Sequence, residues 1–412
     1  MESGFLDLIL ALAIIIVAAK AAGYISTRVG QPSVLGELLA GLILGPTAID
    51  LFHTLPAFAS SELLIETISV MAELGVILLM LLAGLELHMD ELLRSGGVSA
   101  LAGVLGVLVP MGLGYGTAIL FGSTRTEALF MALTLSATSV SISAQTLMEL
   151  EVLRSRVGLA LLGAAVFDDI LAILLLSIGL VVVGGAGGGI ASVLLTVLNM
   201  ILYLILAVAL GLWVLPRLAR IISPLPISQG AVAFVIIAAL LYAWAAEAVG
   251  GMAAITGAFL VGLFMARTPF REQMASGVAV MAYSFFVPIF FVNIGLEVNM
   301  RAIGGSVLWY AFTITVVAIA SKIIGSGAGG LLGGFSPRES LQLGIGMVSR
   351  GEVGLIVAAL ALSQGLFTEQ SFSVAVFMVI IATLITPPLL RAAFAGGNAD
   401  RDTVQGAVRR EA

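Results

Sequence analysis

Apolar segments long enough to cross a hydrocarbon core follow one another along nearly the whole chain, with most charges in the short gaps between them. Thirteen can be counted, at about 5–27, 33–52, 62–87, 97–121, 127–149, 154–183, 190–221, 228–249, 251–266, 277–299, 303–333, 338–363 and 371–394. A helix needs about 20 apolar residues to span a core roughly 30 Å thick. No water is present there to satisfy backbone N–H and C=O groups, so each segment must close its hydrogen bonds internally. The expected fold is an all-α integral membrane protein of about 13 transmembrane helices. Segment 9 is short, and segments 3, 7 and 11 are long enough to tilt or project from the bilayer.

Composition agrees. The chain is 60% hydrophobic and 10% charged, with a mean hydropathy of +1.18, whereas a soluble protein is about 25% charged. Its 48 glycines suit close helix packing in lipid. No basic run points to nucleic acid. The absence of cysteine excludes disulfides, a thiolate nucleophile and cysteine-ligated metal. Glu2 and Asp7 stand where a cleavable signal would carry positive charge. Residues 396–412 read as a polar, disordered tail with no regulatory domain attached.

Arginines set the expected orientation. Alternate connections carry Arg28, Arg94, Arg154, Arg156, Arg217, Arg220, Arg267, Arg271 and Arg338, and the tail adds Arg391, Arg401, Arg409 and Arg410. The opposite set carries only Arg125 and Arg301. The N-terminus is expected outside and the C-terminus in the cytoplasm, in the cell membrane.

The chain also repeats. Gly84, Leu85, Glu86 and Met89 match Gly295, Leu296, Glu297 and Met300. The same offset carries Thr138 to Ser349 and Ser141 to Glu352, and VLGELLAGL at 34–42 resembles ITGAFLVGL at 255–263. Segment n thus maps to segment n + 7, and an odd step reverses orientation. The expectation is two inverted six-helix repeats, 1–183 and 228–395, joined by a linker helix within 184–227. In such transporters the site lies near the midplane, beside interrupted helices. Segments 5 and 12 are the candidates. Segment 5 carries Ser136, Thr138, Ser139, Ser141 and Ser143, and segment 12 carries Arg350, Gly351 and Glu352. Glycine and hydroxyl residues tolerate an unwound turn.

Asp168 and Asp169 sit side by side in LLGAAVFDDILAILLLSIGL, with no other charge between Arg156 and Arg217. From Arg156 to Asp168 is about 18 Å of helix, roughly half the hydrocarbon thickness. Intramembrane acids read by default as an ion or proton site. Lys322 lies equally deep, too far from Arg301 and Arg338 to reach an interface. Lysine, unlike arginine, gives up its proton readily when buried. It is a candidate proton carrier or the fixed partner of one aspartate. Neighbours on a helix point about 100° apart, so one aspartate can meet Lys322 while the other faces a cavity. Burial disfavours charge and an opposite charge restores it, so the cluster titrates as a unit. Arg350 and Glu352 read as an ion pair neutralising broken helix ends. Glu73 and Lys20 lie deep without an assigned partner. Glu37, five residues after Pro32, reads as a solvated helix-end acid, with a funnel carboxylate near the cytoplasmic entrance as the alternative, and His53 and His88 read as surface histidines, with pH sensing as the alternative.

These residues resemble the monovalent cation:proton antiporter family 2, specifically sodium/proton antiporters of the NhaA and NapA fold. The resemblance covers about 5–395 and rests on GAAVFDDILAI, ASKIIGSGAGG, ATSVSISA and SRGEVGLIVAALAL, with QPSVLGELLAGLILGP and ELGVILLMLLAGLEL as opening helices. It implies an elevator-type exchanger, commonly a homodimer, in which segments 4–6 and 11–13 move against segments 1–3 and 8–10. It implies that Asp169 binds Na⁺ and protons, that Asp168 pairs with Lys322, and that Thr138 and Ser139 of the crossing complete the site. Arg350 and Glu352 match a charged pair in helix 12. The two-aspartate form implies electrogenic exchange of two protons per sodium ion, with lithium a possible substitute. The cations are cargo, and no cofactor is called for.

Other readings compete. A potassium/proton exchanger would use the same machinery. A sodium-coupled organic-solute symporter would not need the Asp–Asp–Lys set. A channel would need a filter loop that is absent. An aspartyl protease needs two carboxylates converging on one water, which neighbours on one helix do not do. A transporter, not an enzyme, is expected.

Overall fold

The computed structural model describes residues 2–55, 58, 62–87, 95–183, 189–223, 225–296 and 305–395, and these are helical with short connections. The first half runs α1 Glu2–Arg28, α2 Ser33–Leu44, the single turn α3 Leu51–Thr54, α4 Glu62–Glu86, α5 Gly96–Leu120, α6 Arg125–Ser136, α7 Val140–Glu149 and α8 Arg156–Val182. Then come α9 Gly189–Trp213 and α10 Leu215–Ile222. The second half runs α11 Gly230–Ala248, α12 Ala254–Met265, α13 Arg271–Met281, α14 Val287–Leu296, α15 Gly305–Leu332, α16 Pro337–Gly346, α17 Gly351–Ser363 and α18 Glu369–Phe394. Among the described residues, ten stretches are long and apolar enough to cross a membrane, and three shorter apolar helices accompany them, Ser33–Leu44, Ala254–Met265 and Val353–Leu362.

Several boundaries differ from the apolar runs, for local reasons. Segment 2 is apolar to residue 52, but α2 stops at Leu44, where Gly45 turns extended and Pro46 follows. Segment 7 divides at Val214 because Pro216 sits in the first turn of a new helix. Segment 10 begins earlier, at Arg271, and a π-helical turn at Ala282–Phe286 joins α13 to α14. The tail 396–412 and residues 184–188 of the expected linker lie outside the described residues.

The helices pack as two groups. One joins α5, α6, α8 and α15 to α18, with α7 held against α18. The other joins α1, α2, α4 and α11 to α14. In two of the second group's crossings both helices supply a glycine and meet backbone to backbone. A Cβ on Gly41 of α2 would stand 2.1 Å from the Val292 carbonyl oxygen, and one on Gly295 of α14 would stand 2.3 Å from the Leu42 nitrogen. A Cβ on Gly84 of α4 would meet the Phe259 carbonyl at 2.3 Å, and one on Gly262 of α12 the Leu81 carbonyl at 2.2 Å. Small residues let helices approach this closely where the solvent is as apolar as the side chains. Gly84→Val should therefore push α4 off α12. The expected cost is about 1–3 kcal/mol or more, as for other overpacked cores, read as a lowered melting temperature of the detergent-solubilised protein. An unchanged melting temperature would mean the crossing is looser than these distances imply.

Candidate ion-binding site

Segments 5 and 12 are both interrupted. The first breaks between α6 and α7, where Ala137 and Ser139 are extended. The second breaks between α16 and α17. The breaks meet. The Ser139 N–H donates to the Ser349 carbonyl at 3.0 Å, and the Ser349 hydroxyl donates to the Ser139 carbonyl. Ser143 Oγ donates to the Gly346 carbonyl at 2.6 Å, and the Gly351 N–H donates to Thr383 Oγ1 at 3.1 Å. The serine-rich sequence thus supplies donors to carbonyls that unwinding strips of helical partners. Gly351 has φ +41°, and a Cβ there would lie 2.5 Å from Ser139 Oγ. Both the turn and the close approach of the two unwound segments require glycine.

Lys322 of α15 reaches this crossing, fully buried. Its Nζ donates to Asp168 Oδ1 at 2.7 Å, to the Ser136 carbonyl at 2.8 Å and to the Gly106 carbonyl at 2.6 Å. An ammonium has three protons, and all three are taken. Each backbone acceptor has a cause. Ser136 ends α6, so its carbonyl lacks a helical donor. Gly106 is four residues before Pro110, which has no N–H to return within α5. Arg350, also fully buried, serves the second break in the same way. It donates from Nη1 to the Met347 carbonyl at 3.2 Å and from Nη2 to the Ala318 carbonyl at 3.0 Å. A cation therefore stands at the carboxyl end of each interrupted half-helix, where the dipole favours positive charge. The side chain of Glu352, expected to pair with Arg350, lies outside the described residues. Arg350 meets backbone carbonyls of the break and of α15.

The two aspartates diverge as their spacing on one helix demands. Asp168 turns to Lys322, and its Oδ2 makes no hydrogen bond. Asp169 turns toward the other helix group, where Thr256 Oγ1 of α12 donates to its Oδ2 at 3.2 Å. Asp169 is 8% exposed and opens on a narrow cleft with room for about one water molecule. Apart from Asp169 and Thr256 that cleft is lined by apolar residues, among them Met80, Val140, Leu162 and Phe259. Thr138 is buried in the first break with its hydroxyl unpaired, and Ser139 Oγ lies 2.9 Å from Ser141 Oγ. Carboxylate and hydroxyl oxygens are the ligand type a small hard cation takes.

Other charges resolve differently from their sequence reading. Lys20 pairs with Glu37 at 3.5 Å, and Glu37 is buried between helices, not solvated at a helix end. Packing of α1 on α2 closes over it. Glu149, at the end of α7, accepts from the Ser33 N–H at 2.6 Å and from Ser33 Oγ at 2.5 Å, so one helix group caps the start of α2 in the other. Glu73 is exposed on α4, with Glu247 of α11 as its electrostatic neighbour. His53 is exposed and bonds Asp50 at 2.7 Å, while His88 lies outside the described residues. Sequence reasoning missed Thr256, Gly106 and Pro110. The only signals were a lone hydroxyl in a twelve-residue apolar helix and a proline inside a span.

Known proteins share this chain at length. The Na(+)/H(+)-K(+) antiporter GerN of Bacillus cereus is 37% identical over 93% of this chain and 95% of its own. The Na(+)/H(+) antiporter of Enterococcus hirae is 33% identical over 92% and 96% of the two chains. The solved structure of the sodium proton antiporter MjNhaP1 from Methanocaldococcus jannaschii covers 95% of this chain and 98% of its own, with a TM-score of 0.69 at 17% identity, and so shares the fold. Residues 12–394 match the family described as sodium/hydrogen exchanger, transmembrane, and this multi-pass membrane protein therefore belongs to the sodium/hydrogen exchanger family of transporters.

Proposed function

We propose that this protein is a cation/proton antiporter that exchanges Na⁺, or Li⁺ in its place, for H⁺ across the cell membrane. The observation that carries the reading is Asp169. It is a buried carboxylate at the head of a narrow cleft between two helix groups, beside a crossing of interrupted helices. A carboxylate there binds either a proton or a cation, and competition for one site is all that exchange requires. Asp168, Thr138 and Ser139 complete the cation and proton site. Alternating access would follow from an elevator motion of the group containing α8 and α15 against the group containing α4 and α12. Both crossing helices and Lys322 travel in the first group. The relative named Na(+)/H(+) antiporter supports sodium as cargo. The relative named Na(+)/H(+)-K(+) antiporter favours potassium as a second substrate. Radiosodium or potassium flux in proteoliposomes under a pH gradient tests both. No cation-stimulated proton flux with either ion would reject the reading.

Thirteen spans in two inverted repeats are part of this proposal. The paired crossings support it. The repeat exchanges α2 with α12 and α4 with α14, and the Gly41–Gly295 contact accordingly has its counterpart in the Gly262–Gly84 contact. The proposed orientation puts the N-terminus outside and the C-terminus in the cytoplasm, with a homodimer as the working unit.

Electrogenic exchange is the third part. Two protons per Na⁺ would move one net charge per turnover, equivalent to about 2.3 kcal/mol per 100 mV. With the membrane potential clamped, the Na⁺ gradient at which flux reverses should then shift with voltage. Reversal at equal Na⁺ and H⁺ gradients, indifferent to voltage, would mean one-for-one exchange with Lys322 as a fixed counter-charge. Lys322→Gln should abolish the voltage dependence if Lys322 or its pair carries the second proton.

A further inference from the structure

We propose that Glu149 is a latch that holds the carrier facing the cytoplasm, by giving its carboxylate to the start of α2 in the other helix group. This latch presupposes the exchange reading and its two sliding groups. Glu149 ends α7, which is held against α18, while α1 and α2 belong to the opposite group. Its Oε2 accepts from the Ser33 N–H at 2.6 Å and its Oε1 from the Ser33 hydroxyl at 2.5 Å. Gln145, one turn earlier on α7, donates from Nε2 to the same Oε1 at 2.8 Å and so aims the carboxylate. α2 has no cap of its own, because Pro32 at its N-cap makes no side-chain hydrogen bond. The first N–H groups of a helix lack helical partners and carry the positive end of its dipole. A carboxylate reaching across from α7 answers both.

Two further contacts grip the same edge. The Tyr283 hydroxyl, in the π-helical turn that joins α13 to α14, donates to Met148 Sδ at 3.7 Å, next to Glu149 in the chain. Arg391 of α18 lies so close over the α1–α2 turn that a Cβ on Gly30 would stand 2.6 Å from its Nη2. An acid and a base of one group thus hold a single turn of the other. α7 is ten residues long, so Glu149 stands about 15 Å of helix beyond the crossing, apart from the cation site. Glu37 of α2 limits the grip, since it opposes Glu149 electrostatically and is offset by Lys20 at 3.5 Å. The cleft tells which state is latched. In the proposed orientation Leu162, Ala165 and Val166 of α8, Met80 of α4 and Phe259 of α12 all lie on the cytoplasmic side of Asp169 and Thr256. The cleft therefore leads toward the cytoplasm. A stroke toward the other face would carry Glu149 away from Ser33 and break both charged hydrogen bonds together. A contact inside one rigid group would not depend on the stroke.

The test compares the two faces of the membrane. Full-length protein in right-side-out and in inside-out vesicles would be assayed for its apparent sodium affinity at each face. An apparent affinity falls with the fraction of carriers facing that side. Glu149→Gln removes the charge and one of the two acceptor oxygens. Hydrogen bonds to a charged group correspond to about tenfold or more in an equilibrium constant. The cytoplasmic affinity should weaken and the external affinity strengthen, moving their ratio by about tenfold. Ser33→Ala keeps the backbone donor and should move the ratio the same way by a smaller factor. A carboxylate that only capped α2 would lower the melting temperature of the variant and leave the ratio unchanged, which would overturn the proposal.

The absence of cysteine allows a second measurement without background thiols. Ser33→Cys/Glu149→Cys, joined by a short reducible bis-thiosulfonate, should stop sodium/proton exchange, keep its thermal stabilisation by sodium, and recover on reduction. Full exchange in the cross-linked protein, or failure of the pair to cross-link, would overturn the latch. Absence of exchange in the parent protein would instead remove the exchange reading, so the two failures are distinct.

Discussion

Asp169→Asn should reduce cation-dependent proton flux to that of protein-free vesicles. Asparagine keeps the shape and still accepts the Thr256 hydroxyl, so packing around the cleft is preserved. What it loses is the chemistry. An amide neither takes up a proton in the working pH range nor offers the negative charge that offsets a cation's dehydration. The folded protein should survive with a melting temperature near or above that of the parent, because a buried ionisable group has been replaced by a neutral one. Flux of parental size from verified, reconstituted Asp169→Asn would remove the residue from the site.

The second large effect is on stability. Asp168→Asn leaves Lys322 with two carbonyls and no anion, and Lys322→Gln leaves Asp168 fully buried without its cation. Breaking one side of a buried pair costs about 3–5 kcal/mol. The double variant should lose much less than the sum of the singles, since neither member of the pair is left behind as a charge without its partner. Additive losses across the cycle would mean that the two charges stabilise the fold independently. Lys322→Gln should be the worse single change. A glutamine amide has two protons for the three acceptors that converge there, so it also strands a carbonyl freed by Pro110 or by the end of α6.

The ion pair and the breaks were legible in sequence because charge and hydroxyl clusters are rare inside apolar spans. Lys322 had few partners at its depth, and the serines of segment 5 have no packing reason to gather in lipid. The divergence of Asp168 and Asp169 followed from helical geometry alone. Other parts left no such trace. A threonine inside an apolar helix ordinarily bonds back to its own carbonyls, so nothing marked Thr256 as reaching across to α8. Which carbonyl Pro110 would leave free could be counted, but not that Lys322 would arrive at it. Glu37 read as solvated because its neighbour Lys20 lies on another helix, and only the packing of α1 on α2 brings them to 3.5 Å. Helix ends moved wherever a glycine or proline overruled an apolar run, as at Gly45 and Pro216.

The contact between Asp168 and Lys322 also sets a timetable for biogenesis. The two residues are 154 positions apart, and the serines that join the breaks are separated by 210. Chains elongate at about 5–20 residues per second, so α8 waits roughly 8–30 s after its synthesis before its counter-charge exists. Through that interval the nascent chain holds an acidic pair in a span that must already be entering lipid. The unwound turn after Ser136 likewise has no Ser349 to close on. The first half is thus an assembly intermediate with an exposed polar seam, a natural client for whatever shelters half-made membrane proteins. Truncations ending before Lys322 should be degraded far faster than those ending after Arg350.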